Sequence, residues 1–436
     1  MRIVGVVCML AWTALAAFPA TAYAGTVISG AGGGLVIHGI PFEFFLFALT
    51  LLGVAVFHHH TFNVALTGLV AIVLYKLAFA GFATGPGLAG LAGQLDHDWV
   101  TVVNLFALLM GFTILARHFE KSHVPVILPR YLPDDWRGAF GVLVVVWVIS
   151  SFLDNIAAAL IGGAMAHQLF RSKVHIGYVA AIVAASNAGG AFSVVGDTTT
   201  TMMWIAGVRP GEVFQAIIAS ATALLVFGYV AAKQQHAYSP ILKHAHQHTK
   251  VDWHRIFIVA LILVLAMATN ITVNTHFRSV RDSFPFIGAA VWVAILLSIP
   301  IRRHDWEVLG EGLKGTLFLL FLVTAASMMP VGSLPTASWH TAFGLGIVSA
   351  VFDNIPLTAL AINQNGYDWG TLAFAVGFGG SMLWFGSSAG VAISNMYPDA
   401  KSAALWLRQG WHVALAYVMG FAVFMSVLGW HSVWLH

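Results

Sequence analysis

The chain has 436 residues, of which 59% are hydrophobic and 8% charged, with a formal net charge of +3 and a mean hydropathy of +0.85. That composition excludes a soluble globular core and describes a polytopic membrane protein. No block of like charge points to nucleic acid, and the single cysteine, Cys8, excludes disulfide frameworks and thiolate metal sites.

Residues 1–24 place Arg2 ahead of an apolar run and end on Ala22-Tyr23-Ala24, which reads either as a cleaved secretory signal or as a retained first helix. Val7 before Cys8 argues against a lipid anchor. Beyond the leader, apolar segments long enough to cross ~30 Å of hydrocarbon fall near residues 42–57, 62–82, 98–116, 175–205, 211–232, 256–275, 284–301, 314–331, 370–396 and 409–430. Two further apolar regions, 139–168 and 339–366, do not fit this scheme. Each carries an Asp-Asn pair near its middle, Asp154-Asn155 in SFLDNIAAAL and Asp353-Asn354 in AVFDNIPLTAL. A carboxylate at the bilayer centre costs roughly 2.5–3.5 kcal/mol on insertion scales, so finding it twice suggests a duplicated ion site.

The arms on either side of each pair are about 14 residues, or ~21 Å of helix, too short to span separately. Counting Lys and Arg decides between a broken span and a hairpin that enters and leaves on one face. With two hairpins, fifteen basic residues collect inside and only Arg209, Arg278 and Arg281 lie outside; with two spans the same eighteen divide nine to nine. The hairpins are therefore expected, and they make residues 25–232 and 256–436 run in opposite senses. The expected fold is an all-α polytopic membrane protein built as an inverted-topology repeat. Each half has five spans plus one re-entrant hairpin, and the fold has two interrupted helices. Residues 233–255 form a His-rich cytoplasmic linker, and no separate soluble domain is evident.

A second echo links the halves. Gly189-Gly190, five residues and Gly196 are matched by Gly379-Gly380, five residues and Gly386. Glycines at such spacing allow a membrane helix to unwind and present carbonyls, or alternatively allow close helix packing. Asp197, Thr198, Thr199 and Thr200 follow the first break, Ser387 and Ser388 the second.

Only Asp154, Asp197 and Asp353 lie well inside these segments. With Asn155, Asn354, Thr198, Thr199, Ser387 and Ser388 they form an oxygen-rich set suited to a hard cation such as sodium or lithium. Burial favours a protonated carboxylate and a bound cation favours the ionised form, so one site can exchange the two. Lys76 is the one basic residue within a span: it reads chiefly as snorkelling toward an interface and alternatively as the charge partner of a buried aspartate or part of the ion path, while Glu43 is expected at an interface. His58-His59-His60 and His244, His246 and His248 raise a membrane metalloenzyme as a different class. Solvated loop histidines are the favoured reading, and neither a resident metal nor a cofactor is expected.

HFEKSHVP, LPDDWRGAF, SFLDNIAAALIGG, SNAGGAFSVVGDTTTTMMW, SAVFDNIPLTALA and GGSMLWFGSSAGVAISNMYP, all beyond about residue 98, resemble the NhaD-type sodium/proton antiporters. That family sits within the ion-transporter superfamily, which includes arsenite permeases and citrate or dicarboxylate carriers. The resemblance implies scaffold and transport parts, two hairpins and two interrupted helices meeting at the substrate site, and a homodimer moving like an elevator. It also implies residence in the cytoplasmic membrane, in a bacterium by the look of the leader. Dicarboxylate carriers have Ser-Asn-Thr at the hairpin tips, where this chain has Asp154-Asn155-Ile156 and Asp353-Asn354-Ile355. The added acids argue against citrate and for cation/proton exchange. The alternative is a proton- or sodium-coupled carrier of arsenite, citrate or a dicarboxylate.

Overall fold

A computed structural model describes residues 34–57, 60–127, 132–241 and 250–435. A two-stranded hairpin, Val36–Ile37 against Ile40–Pro41, leads into helix α1 (Phe42–Val56). Helix α2 (Thr61–Tyr75) then continues through a π-turn at Lys76–Ala80. Helix α3 (Gly87–Glu120) follows with 34 residues, ~51 Å at 1.5 Å per residue. It outruns the expected segment 98–116 because Gly87, Gly90, Gly93, Asp96 and Asp98 dilute the hydropathy of its first turns without breaking the helix.

Both unusual apolar regions are pairs of short helices. The first comprises α4 (Trp136–Ser150) and α5 (Asn155–Leu169), packed side by side and joined through Asp154. The following segment is interrupted, α6 (Ile176–Ala191) and α7 (Thr198–Ile205) being separated by residues 192–197. Helix α8 (Ile217–Tyr238) completes this part. After α9 (Trp253–His276), α10 (Phe286–Ser298) and α11 (Glu307–Ser327), the order returns. Helices α12 (Trp339–Ser349) and α13 (Asn354–Gln364) flank Asp353, and α14 (Trp369–Gly379) and α15 (Ser388–Met396) flank a second break. Helix α16 (Trp411–Val427) ends the chain's helical part.

Two layers result. In one, α3 packs against α9, α10 and α11, held by Gly288 N–H donating to Asn104 Oδ1 at 3.0 Å and by Trp292 Nε1 donating to Ala107 O at 3.0 Å. In the other, α4 and α8 cover α6, as α12 and α16 cover α14. Helices α6 and α14 are mostly apolar on every side and buried along nearly their whole length, as suits a helix enclosed by other helices. Enclosure also explains why their backbones can stop mid-membrane, since only protein-covered backbone tolerates a break there.

Five described helices are long and apolar enough to cross a bilayer alone: Thr61–Ala80, Gly87–Glu120, Pro210–Tyr238, Trp253–Asn274 and Glu307–Ser327. A sixth span arises if Ala403–Gln409 and Trp411–Val427, bent by 61°, count as one. The segments 175–205 and 370–396 are interrupted pairs, and 42–57 and 284–301 are the shorter helices α1 and α10.

The glycine echo marks the two helix breaks, and its glycines are closely packed there. None of Gly189, Gly190, Gly196, Gly379, Gly380 and Gly386 has positive φ. A Cβ at Gly189 would overlap the carbonyl oxygen of Trp147, and one at Gly379 that of Gly346. Gly190 and Gly196 face each other across the first break as Gly380 and Gly386 do across the second, a Cβ on the leading glycine meeting the trailing carbonyl at 2.7 and 2.6 Å. The first break, residues 192–197, starts beyond its glycine pair and contains Gly196; the second, residues 380–387, starts at Gly380 and contains Gly386. By contrast, Gly344 on α12 has open space around it. Gly379→Val is expected to destabilise the protein by about 1–3 kcal/mol through overpacking, whereas Gly344→Ala should stabilise it by up to about 1 kcal/mol through helix propensity. Thermal denaturation followed by size-exclusion chromatography in detergent checks both.

Candidate ion site

Four helix N-termini converge between the layers, and each is capped by a residue the sequence singled out. Asp154 Oδ2 accepts from Ile156 N–H at 3.2 Å on α5 and Asp353 Oδ1 from Ile355 N–H at 3.1 Å on α13. Asp197 Oδ1 accepts from Thr199 N–H at 3.2 Å on α7, and Ser387 Oγ from Gly390 N–H at 3.3 Å on α15. Unsatisfied N–H groups and the positive end of the helix dipole make such positions favourable for a carboxylate. The cap geometry is duplicated: φ, ψ are −52°, 141° at Asp154 and −53°, 140° at Asp353.

A cavity of about 790 Å³ lies against these caps, lined by Asp154, Asp197, Asp353, Thr198, Ser388 and Asn395. Its opposite wall comes from α1, α3 and α11, with Leu51, Thr113, Gly312 and Thr316 among the contributors. No Lys, Arg or His is among the lining residues. Ser388 Oγ donates to Asp353 Oδ2 at 3.0 Å, and Asn354 Nδ2 donates to Asp197 Oδ2 at 3.4 Å, joining the two halves of the chain. Packing crosses over in the same way, α5 lying on α15 and α13 on α7.

Asn187 is the residue that sequence reasoning missed. Fully buried on α6, it accepts from Asn155 Nδ2 at 3.0 Å and donates to Ser381 Oγ at 2.9 Å and Ser387 Oγ at 3.1 Å. Its signal was available: in SNAGG it stands two residues before the glycine pair, where the second half has Gly377. The two positions are complementary across the halves. Asn187 reaches the short Ser387, while Gly377 leaves room for the longer Asp197, whose Oδ2 would lie 3.5 Å from a Cβ there.

Other expectations fare differently. The carbonyls of the first break are not all free for a cation, because the hydroxyls of Thr200 and Thr201 donate to Ser193 O at 2.6 Å and Val194 O at 3.0 Å. Thr199 is fully buried beside Asp197 and does not line the cavity. Lys76 does not line it either. Its ammonium lies 5.5 Å from the centroid of the Phe82 ring, and the acid acting on it is Glu43, so it partners no cavity aspartate. Glu43, expected at an interface, is 5% exposed. Of the histidine clusters, only His60 lies within the described residues.

Fold and cavity define a helical polytopic membrane protein with carboxylates gathered in its interior, and the proteins it is similar to are transporters and not enzymes. More particularly, they are sodium/proton antiporters, and the resemblance read from the motifs is borne out along most of the chain. Sodium/proton antiporter 1 of Arabidopsis thaliana is 26% identical over 371 residues, covering 76% of this chain and 61% of that protein. The Na(+)/H(+) antiporter NhaD of Vibrio parahaemolyticus is 27% identical over 365 residues, covering 69% of this chain and 84% of its own. That of Halomonas elongata is 25% identical over 401 residues, covering 78% and 79%. The chain thus spans about three fifths of the Arabidopsis relative's length and most of the bacterial ones. No family model matches it.

Asn187→Ala is expected to cost about 1–3 kcal/mol, because it strands the buried polar groups of Asn155, Ser381 and Ser387. Combined with Ser387→Ala, the loss should be less than additive. Denaturation of the single and double variants measures the coupling.

Proposed function

We propose that the chain is a secondary active transporter that exchanges sodium, or lithium, for protons across the cytoplasmic membrane. The observation that carries this reading is the cavity itself: three aspartates, hydroxyl and amide oxygens, and no basic side chain in its lining. Such a lining attracts a small hard cation and repels a multiply charged anion. The arsenite or dicarboxylate alternative needs cationic compensation, and Lys76, its one candidate, faces elsewhere.

In this reading Asp154 and Asp353 take up either the cation or a proton, and Asn155 and Asn354 orient them. Asp197, Thr198, Thr199, Ser387 and Ser388 complete the two half-sites. Occupancy by one ion excludes the other, so the cavity is carried across loaded with sodium in one direction and protonated in the other. Helix N-termini stabilise the carboxylates whenever the cation has left.

The same reading assigns the architecture. The halves 25–232 and 256–436 are inverted repeats, α4–α5 and α12–α13 are re-entrant hairpins inserted from opposite faces, and the protein works as a homodimer in the inner membrane of a bacterium. The matched caps at Asp154 and Asp353 and the matched glycine contacts support the duplication. With basic residues inside, the cavity opens to the cytoplasm. Its far wall is made by Ala116 next to Arg117, and by Val308 and Gly312 shortly after Arg302 and Arg303.

In everted vesicles, adding sodium or lithium should collapse an imposed pH gradient, whereas potassium or citrate should not. Asp154→Asn and Asp353→Asn should each abolish the response, and wild-type activity in both would remove the assignment. Acidifying the cytoplasmic side should raise the apparent KM for sodium, as expected where proton and cation compete for the same carboxylates. For topology, a cysteine at Ser172 should react with an impermeant maleimide only from the cytoplasmic side; labelling solely from outside would refute the hairpins.

A further inference from the structure

Two histidines with no part in the cavity meet where α3 stops and α11 begins. His118, in the last turns of α3, and His304, in the connection from α10 to α11, are 2% and 7% exposed. Their rings meet edge to face, with His118 Nε2 2.6 Å from His304 Nδ1. The outer nitrogens are committed as well. His304 Nε2 lies 2.8 Å from Ile295 O, and His118 Nδ1 lies 3.2 Å from Arg255 Nη1.

Those partners fix every proton. A carbonyl only accepts, so His304 Nε2 carries a hydrogen; a guanidinium only donates, so His118 Nδ1 is bare. With both rings neutral, His118 Nε2–H donates to the bare Nδ1 of His304. The chain from Arg255 through His118 and His304 to Ile295 O therefore runs in one direction with no spare lone pair on either ring. A second proton breaks it wherever it lands. On His118 it confronts the Arg255 N–H, and on His304 it confronts the Nε2–H of His118.

The surrounding charges come from every element packed there. Arg255 and Asp252 stand at the start of α9, and Arg302 reaches Asp252 at 3.0 Å. Asp305 pairs with Lys121 at 2.7 Å and lies 3.8 Å from Arg117, which holds Glu120 at 2.8 Å. Ser298 Oγ and the Trp306 ring complete the enclosure of His304. The hydrogen bond from Lys121 keeps the Asp305 carboxyl below the usual carboxylate range. Against the upward push of burial, Arg302 and Arg255 do the same for Asp252. Both acids thus stay ionised across the range in which an imidazole titrates. Because Ala116 and Val308 line the cavity, the couple ties together two of its walls.

We propose that the His118–His304 couple is a pH-sensitive latch at the cytoplasmic mouth of the cavity, fastened while both rings are neutral and released when either takes a second proton. The side of the membrane rests on the topology proposed above; the latch itself does not depend on sodium transport. Glutamine offers one donor and one acceptor without titrating, so H118Q/H304Q should keep the latch and lose its response to pH.

Imidazole 15N spectra of the full-length protein in lipid, assigned with the single variants, should show both rings neutral at about pH 8 with the proton on Nε2. An Nδ1–H form of either ring would overturn the proposal, and this wild-type measurement stands even if the double variant fails to fold. Hydrogen exchange of residues 115–121 and 299–306, corrected for intrinsic rates, should lose about tenfold protection between about pH 8 and about pH 4 in the wild type. It should not do so in H118Q/H304Q, and equal loss in both would sink the latch. In everted vesicles the acid-side fall of the rate at saturating sodium should move to lower pH in H118Q/H304Q, with the pH dependence of the sodium KM unchanged. A missing sodium response in both proteins would count against the antiport reading and leave the exchange result to judge the latch.

Discussion

A carboxylate in the middle of a membrane protein needs a favourable partner that is not itself a competing cation, and here the partner is the start of a helix. Asp154, Asp197 and Asp353 each accept from a backbone N–H two residues on, so their charge is stabilised by fixed dipoles. A lysine or arginine in that role would have set a cationic side chain in the cavity lining, where there is none. The need to bring helix starts to the membrane interior then dictates the rest. Helices must stop and restart at mid-depth, the restarts must be enclosed by protein, and α6 and α14 must be wrapped on all sides.

That requirement explains the small residues around the breaks. Helix ends from different segments reach one point only if their backbones approach closely, which is what Gly189, Gly196, Gly379 and Gly386 permit. It also explains why hydroxyls are distributed as they are. Thr200 and Thr201 satisfy carbonyls freed by the first break, while Thr198 and Ser388 remain at the cavity surface.

Much of this was legible in the sequence because a charge inside an apolar run is a strong local signal. Asp154, Asp197 and Asp353 stood out for that reason, and the glycine spacing tied the two breaks together. The uncharged members were harder to see. Asn187 carries no insertion penalty large enough to mark it, and its importance arises from where α6 passes Ser381 and Ser387, nearly two hundred positions away. Lys76 is the opposite case: its charge is conspicuous in sequence, but direction is a property of packing, and the π-turn sets it over Phe82. The full extent of α3 was hidden because hydropathy measures lipid preference and a helix needs only uninterrupted backbone geometry.

The length of α3 has a mechanical corollary. Asp98, gripped by Gln94 at 2.9 Å and by Ser327 of α11 at 2.7 Å, and His118, gripped by Arg255 and His304, are separated by ~30 Å along the rod, the thickness of the hydrocarbon slab. Polar collars at both ends work like washers on a bolt, so sliding α3 along the membrane normal would drag one collar into oil. The rod is a fixed datum. In the exchange proposed above, any vertical stroke of the aspartates would be taken up as slip at the oily contact between α3 and the layer that carries them.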